Sequence, residues 1–185
     1  CLQSFRLILV GGGQTDSILL KRCLKLKINI FVTYGMTETI SHIAVRPING
    51  AEKSGIFSSL PGVIFSQDQN NCLQIHAPEV SEEIVATNDV VALISPTSFK
   101  FLGRIDNVVN TGGVKVHPET VEEKLSHHIA GTFFIGSEKD DALGEKVILI
   151  IESEEMQSLE NYSELFKTLS AYEKPKKIYT VPQFI

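Results

Sequence analysis

LILVGGG at residues 7–13 is a short apolar run closed by three glycines, and INIFVTYG at 28–35 is a second β-rich run that again ends in glycine. Each run has the length and make-up of a buried strand, and each glycine break marks a tight loop. Between them, Thr15 or Asp16 can cap a helix. Its apolar face, Leu19, Leu20, Cys23 and Leu24, recurs at helical spacing and ends near Lys27. Strand, helix, strand predicts a βαβ unit with a parallel pair. Parallel strands bring their C-terminal ends to one edge. The loops Gly11–Gly13 and Gly35–Thr39 are therefore expected on the same side of the sheet, where open α/β sheets bind ligands.

The pattern changes from Ile43 to Leu102. Short strands near 62–66, 72–76, 90–95 and 98–102 alternate with turn clusters such as SQDQNN at 66–71, which predicts an antiparallel β subdomain. After Gly103 it changes again. Strands at 107–110 and 114–116 flank Thr111-Gly112-Gly113, and Pro118 suits the first position of a helix because its missing N–H is not needed there. Val121, Leu125 and Ile129 mark that helix's buried face. Strands at 132–136 and 146–152, a second helix over Tyr162–Tyr172 and a last strand at Ile178–Val181 complete a small α+β domain. The expected class is α/β: the end of a parallel α/β sheet subdomain (1–42), an antiparallel β subdomain (43–102), a hinge (103–106) and a truncated α+β C-terminal domain (107–185).

Composition narrows the functional classes. Apolar residues make up 43% and charged residues 21%, the balance of a folded soluble chain with room for one domain or one and a fraction. The net charge of −5 comes with no basic stripe, and KPKK at 174–177 reads as a solvated turn, which argues against nucleic acid. Cys1, Cys23 and Cys72 are too scattered for a disulfide framework or metal knuckle, so a cytoplasmic setting with reduced thiols is expected. No apolar run approaches the ~20 residues of a membrane span, and no signal-peptide pattern opens the chain. The chain starts at Cys1 and stops in strand-like VPQFI, so it is expected to be a piece of a longer enzyme. Oligomeric state leaves no mark on the sequence.

Several stretches could carry chemistry. Gly11, Gly12 and Gly13 let a flat or charged ligand approach the backbone; a flexible strand-to-helix connection also accounts for them. The G-x-G-x-x-G dinucleotide spacing fails, because Asp16 stands three beyond Gly13. YGMTET at 34–39 gathers an aromatic ring, a glycine turn, hydroxyls and a carboxylate on one strand-end loop. Hydroxyl and backbone N–H groups can hold a phosphate. Glu38 suits Mg²⁺, which takes few protein ligands and several waters. Tyr34 could stack on a base. Asp89, read at a strand entrance, is either a turn residue or a ribose-diol acceptor. Arg104 offers a fork for phosphate or ribose oxygens, or pairs with Asp106 on the surface; its place at the composition shift suits a hinge. Gly112 and Gly113 allow close backbone approach or a plain hairpin turn, and Lys115 either meets a phosphate or is solvated. The five histidines show no metal-ligand spacing; His127 and His128 suit the negative end of a helix.

Taken together, Tyr34–Thr39, the stretch from Gly103 to Glu122, LPGV at 60–63 and CLQIHAP at 72–78 resemble the signatures of the adenylate-forming acyl-CoA synthetases. They follow Y-G-x-T-E and G-R-x-D … G-G … P-x-E-V-E along nearly the whole chain, with Thr120 standing where the family usually has a small or acidic residue. Within that family the triple glycine and YGMTET are most similar to the o-succinylbenzoate–CoA ligases of menaquinone synthesis. The resemblance implies an ATP-dependent acid–CoA ligase that uses ATP, Mg²⁺, CoA and a small carboxylic acid. It implies that Gly11, Gly12 and Gly13 lie against adenine and the acyl group, and that Tyr34, beside Gly35, stacks on adenine. Thr37 would hold the α-phosphate, Glu38 would bind Mg²⁺, and Asp89 and Arg104 would grip the ribose. Asp106 would be the pivot of the small domain, and Gly112, Gly113 and Lys115 would lie toward the CoA path. Two family elements, the phosphate loop and the adenylation lysine, are not in these residues, and Asn88 stands where the family has glycine. The chain alone is therefore expected to make little acyl-adenylate. Other aryl or fatty acyl-CoA ligases, an amino-acid adenylation domain and a non-catalytic nucleotide-binding module are the alternatives.

Overall fold

The computed structural model describes residues 5–12, 22–50, 54–126 and 128–184. Gly13, Thr15, Asp16, Leu19, Leu20 and His127, all named above, lie outside the described residues. The chain divides into two compact units, Cys1–Phe101 and Leu102–Ile185.

Among the described residues the first unit carries one eight-stranded sheet. Its strands are β1 (Leu7–Val10), β2 (Asn29–Gly35), β3 (His42–Pro47), β4 (Ile56–Ser59), β5 (Ile64–Gln67), β6 (Cys72–His76), β7 (Val85–Ser95) and β8 (Ser98–Arg104), whose last residues from Leu102 on belong to the second unit. They run in the order β1-β2-β3-β4-β8-β7-β6-β5. β1 and β2 are parallel, with Leu7 opposite Asn29 and Val10 opposite Val32, as the βαβ reading requires. The described pairs from β2 to β4, β4 with β8, and β5 to β7 are antiparallel. Phe99, fully buried, ties the sheet together. Its ring meets Tyr34 edge-on at 5.1 Å, Phe65 edge-on at 4.9 Å and Phe57 at 5.4 Å. Such pairs add about 1 kcal/mol each beyond area burial.

Two expectations are corrected here. β3 and β4 were not anticipated, because short mixed runs such as HIAVRP carry only a weak alternation. β7 begins at Val85, not near residue 90, so Asp89 lies within an eleven-residue strand rather than at its entrance. Pairing of Gln74 with Ala86 and Ile75 with Val85, and the bond from Thr87 Oγ1 to the Leu73 carbonyl, extend the ladder through polar residues that carry no hydrophobic signal.

The second unit packs one helix on a five-stranded sheet. Its elements are β9 (Val109–Thr111), β10 (Val114–Val116), α1 (Pro118–Leu125), β11 (Phe133–Asp140), β12 (Gly144–Glu152) and β13 (Lys177–Val181). β10-β9-β12-β11 form the antiparallel path, and β13 joins β12 in parallel. Val121 and Leu125 of α1 are fully buried with Val147, Leu149 and Ile151 in one cluster. The Ile135 N–H donates to Glu122 Oε1 at 2.8 Å, linking helix and sheet.

The helix expected over Tyr162–Tyr172 is instead two 3₁₀ turns, Leu159–Tyr162 and Leu165–Thr168. The hydroxyls explain the difference. Ser163 donates to the Glu160 carbonyl and Thr168 to the Leu165 carbonyl, three residues back, which competes with the α-helical ladder. Phe166 and Leu169 still reach the core, at 6% and 4% exposure, so the apolar spacing marked burial without specifying an α-helix.

Candidate functional site

In the first unit the C-terminal ends of β1 and β2 lie side by side. Gly11 follows β1 and has no room for a side chain, because a Cβ there would collide with Thr33 Oγ1. Gly12, at φ +95°, faces open space. The ladder between β2 and β3 shifts register at Tyr34 and Gly35, which turns the chain out of the sheet. Gly35 is packed against the backbone that returns: a Cβ would stand 2.7 Å from His42 Cα and closer still to the Ser41 carbonyl oxygen.

Thr37–Thr39 then forms a 3₁₀ turn. Thr39 is 2% exposed. Its hydroxyl accepts from the Met36 N–H at 3.0 Å and donates to the Ser41 carbonyl at 2.8 Å. Thr37 and Glu38 are exposed, so one hydroxyl builds the loop while another hydroxyl and a carboxylate face outward. Ile40 ends the turn at φ +61° with its side chain 80% exposed. A positive φ at a β-branched residue is strained. No motif in the sequence signals that strain.

Tyr34 and Asp89 are brought together. The Tyr34 hydroxyl donates to Asp89 Oδ2 at 2.5 Å across 55 residues of sequence. The Tyr34 ring is half-buried, with Phe57 at 5.7 Å and Phe99 at 5.1 Å. The core therefore fixes the ring while its hydroxyl orients a carboxylate. Sequence reading named both residues but not the bond between them, because a long-range pair leaves no local pattern.

In the second unit Arg104 pairs with Asp106 at 3.5 Å, both side chains more than half exposed. The surface pairing raised as an alternative is thus present, and exposed pairs of this kind contribute at most about 1 kcal/mol. Asp106 sits in a 3₁₀ turn, Ile105–Asn107. Gly112 and Gly113 form a two-residue hairpin turn between β9 and β10, at φ +57° and +78°, the conformation that glycine adopts most readily. Gly112 also faces the Tyr172 ring, 3.1 Å from where a Cβ would stand. Turn geometry and packing thus account for this pair within the fold. Lys115 is exposed on β10. His117 precedes α1 with Nδ1 buried and unpartnered. Burial holds its pKa below the ordinary imidazole value; nearby Glu119 opposes that shift and Lys115 adds to it.

Among the described residues no cluster of three or more His, Cys, Asp or Glu side chains could hold a metal by itself. Glu38 alone suits a cation that shares its coordination with substrate phosphate and water. No helix of the described residues is long and apolar enough to cross a membrane.

The 2-succinylbenzoate–CoA ligase of Escherichia coli K12 is 24% identical over 194 residues, which cover 97% of this chain and 42% of that protein. An acyl-CoA synthetase (AMP-forming)/AMP-acid ligase II-like protein from Dyadobacter fermentans is 34% identical, with a TM-score of 0.55, over 97% of this chain and 53% of that one. The chain is similar in sequence and fold to the adenylate-forming acid–CoA ligases. No family model matches it. The o-succinylbenzoate–CoA synthetase of Bacillus subtilis shares the fold at 21% identity. Its complex with the acyl-adenylate intermediate superposes at TM-score 0.80, and its complex with ATP and magnesium at 0.76. Each alignment covers 100% of this chain and 44% of the enzyme. The chain spans about two-fifths of the length of the curated relatives it matches.

Proposed function

We propose that this chain is part of an ATP-dependent acid–CoA ligase that forms an acyl-adenylate and then a thioester, with o-succinylbenzoate as the acid. The observation that supports it most is the Tyr34–Asp89 hydrogen bond. It joins β2 to β7 directly before the exposed Thr37 and Glu38, on the sheet edge that also carries Gly11 and Gly12.

In this reading the Gly11–Gly12 backbone and the Tyr34 ring border the adenine, and Asp89, oriented by the Tyr34 hydroxyl, accepts from the ribose diol. Arg104 adds a second ribose contact. Thr37 donates its hydroxyl to the α-phosphate, where charge builds as the substrate carboxylate attacks and pyrophosphate leaves. Glu38 would hold Mg²⁺, which neutralises phosphate charge when bound. The work of these residues is positioning and charge stabilisation. The small unit would then turn about Asp106, and the CoA thiolate would displace AMP, with Gly112, Gly113 and Lys115 toward its path. The setting is cytoplasmic in this proposal.

The test is acid-dependent ATP–pyrophosphate exchange and CoA thioester formation by the full-length protein. Exchange with o-succinylbenzoate is expected. Exchange with another acid alone would end the o-succinylbenzoate assignment, and no exchange with any acid would end the ligase reading. Thr37→Ala and Glu38→Ala are expected to lower exchange at least about a hundredfold.

A further inference from the structure

The turn Ile105–Asn107 lies just past the boundary between the two compact units, and one carboxylate reaches both of its ends. Glu119 stands on the first turn of α1. Its Oε1 accepts from the Arg104 backbone N–H at 3.3 Å and from Asn107 Nδ2 at 2.6 Å, so Asp106 lies between the two donors. Its Oε2 is buried without a partner. Gly103 is buried too, and a Cβ there would stand 2.8 Å from the Glu119 carboxyl carbon. The carboxylate is therefore wedged against the chain on the N-terminal side of the turn and bonded to both flanks.

We propose that Glu119 is a positioning residue that clamps the turn on either side of Asp106 and sets the turn's resting geometry. Rotation of the backbone at Asp106 moves the Arg104 N–H relative to the Asn107 side chain. Both donors share one oxygen, so a rotation that separates them weakens at least one of the two bonds. Hydrogen bonds to a carboxylate are the stronger class, and the balance between junction states carries the difference. The clamp follows from the hydrogen bonds alone; its consequence for catalysis rests on the ligase reading. A plain helix role is the competitor, since an acidic residue in the first turn of α1 also favours the helix.

Amide hydrogen exchange on the 185-residue chain separates the two. In Glu119→Ala the Arg104 amide is expected to exchange about tenfold faster or more, with the amides of Leu125 and Ser126 at the far end of α1 unchanged. Glu119→Gln keeps an accepting oxygen and is expected to stay within about twofold of the parent. Equal acceleration of the Arg104 and α1 amides, or no acceleration of Arg104, would overturn the clamp. Should Glu119→Ala fail to fold, Asn107→Ala removes one arm without touching α1 and must itself accelerate the turn amides. In the full-length protein, Glu119→Ala is expected to change the ratio of adenylation to thioester-forming rates about tenfold at unchanged KM for ATP. Equal slowing of both steps would overturn the positioning role. Absence of all ATP–pyrophosphate exchange would instead defeat the ligase reading, and the amide measurement would still decide the clamp.

Discussion

Two 3₁₀ turns, Thr37–Thr39 in the first unit and Ile105–Asn107 in the second, each follow a strand and carry proposed functional residues, yet they are held by different means. The first is built from within. Thr39 turns its hydroxyl onto Met36 and Ser41, at most three residues away, and Gly35 lets the returning backbone pass. The second is held from outside, by a carboxylate twelve and fifteen positions further along. A locally closed loop keeps its shape whatever the rest of the chain does, which suits groups that must meet a phosphate in fixed geometry. A turn fastened by a remote side chain can be released by losing one contact, which suits a junction.

The largest effect should come from forcing a side chain into the locally closed loop. Gly35→Ala sets a methyl against the Ser41 carbonyl and His42 Cα, and backbone cannot give way as a side-chain tip can. A loss of about 3 kcal/mol in denaturant unfolding is expected. A loss below about 1 kcal/mol would mean that the loop yields and is not closed as described. Thr39→Val, of the same shape, should cost about 2 kcal/mol, because it removes the bonds of the buried Thr39 hydroxyl to the Met36 N–H and the Ser41 carbonyl. If it were neutral, the internal hydroxyl would not be what holds this turn.

Tyr34→Phe tests the next link. The ring keeps its contacts with Phe57 and Phe99, and the bond to Asp89 is lost. About 1 kcal/mol is expected in unfolding experiments, less than for Thr39→Val, since Asp89 is only half-buried. A loss as large as that of Thr39→Val would place this long-range bond on a level with the local one, and the contrast between the two turns would weaken.

The same contrast explains what was legible in the sequence. The parallel pair β1–β2 follows from two apolar runs broken by glycine, and Tyr34–Thr39 is a contiguous string whose chemistry can be read residue by residue. Short-range apolar spacing also marked Val121, Leu125 and Ile129 as core; Ile129 is buried, but it lies past the end of α1 at Leu125 rather than on the helix. Features that depend on partners distant in sequence were not legible: the polar start of β7 around Thr87 and Asp89, the Tyr34–Asp89 bond, and the bonds of Glu119 to the turn before it. Glu119 stands inside the Gly103–Glu122 stretch with no local pattern that gives it a role. The one available signal was Gly103, a glycine that its φ of +153° and the carboxylate packed on it both require. Tyr162–Tyr172 failed in the opposite sense: its apolar period was real, but serine and threonine hydroxyls bonded three residues back and broke the helix.

The smallest effect concerns His117, which joins β10 to the helix that carries Glu119. Withdrawal of the ring from water lowers its pKa; Glu119 opposes this and Lys115 reinforces it. The unfolded chain therefore takes up a proton near the ordinary value of ~6.5, where the folded chain still resists it. Stability from this group is full above ~6.5 and declines as pH falls through that value toward the lower folded pKa. His117→Gln should flatten that part of the stability–pH curve and leave the slope above pH ~7 unchanged. Glu119→Gln removes the one nearby charge that raises the His117 pKa, so it should steepen the same limb. If Glu119→Gln instead flattens the limb, the Glu119 carboxylate is not acting on His117, and its influence is confined to the turn it bonds.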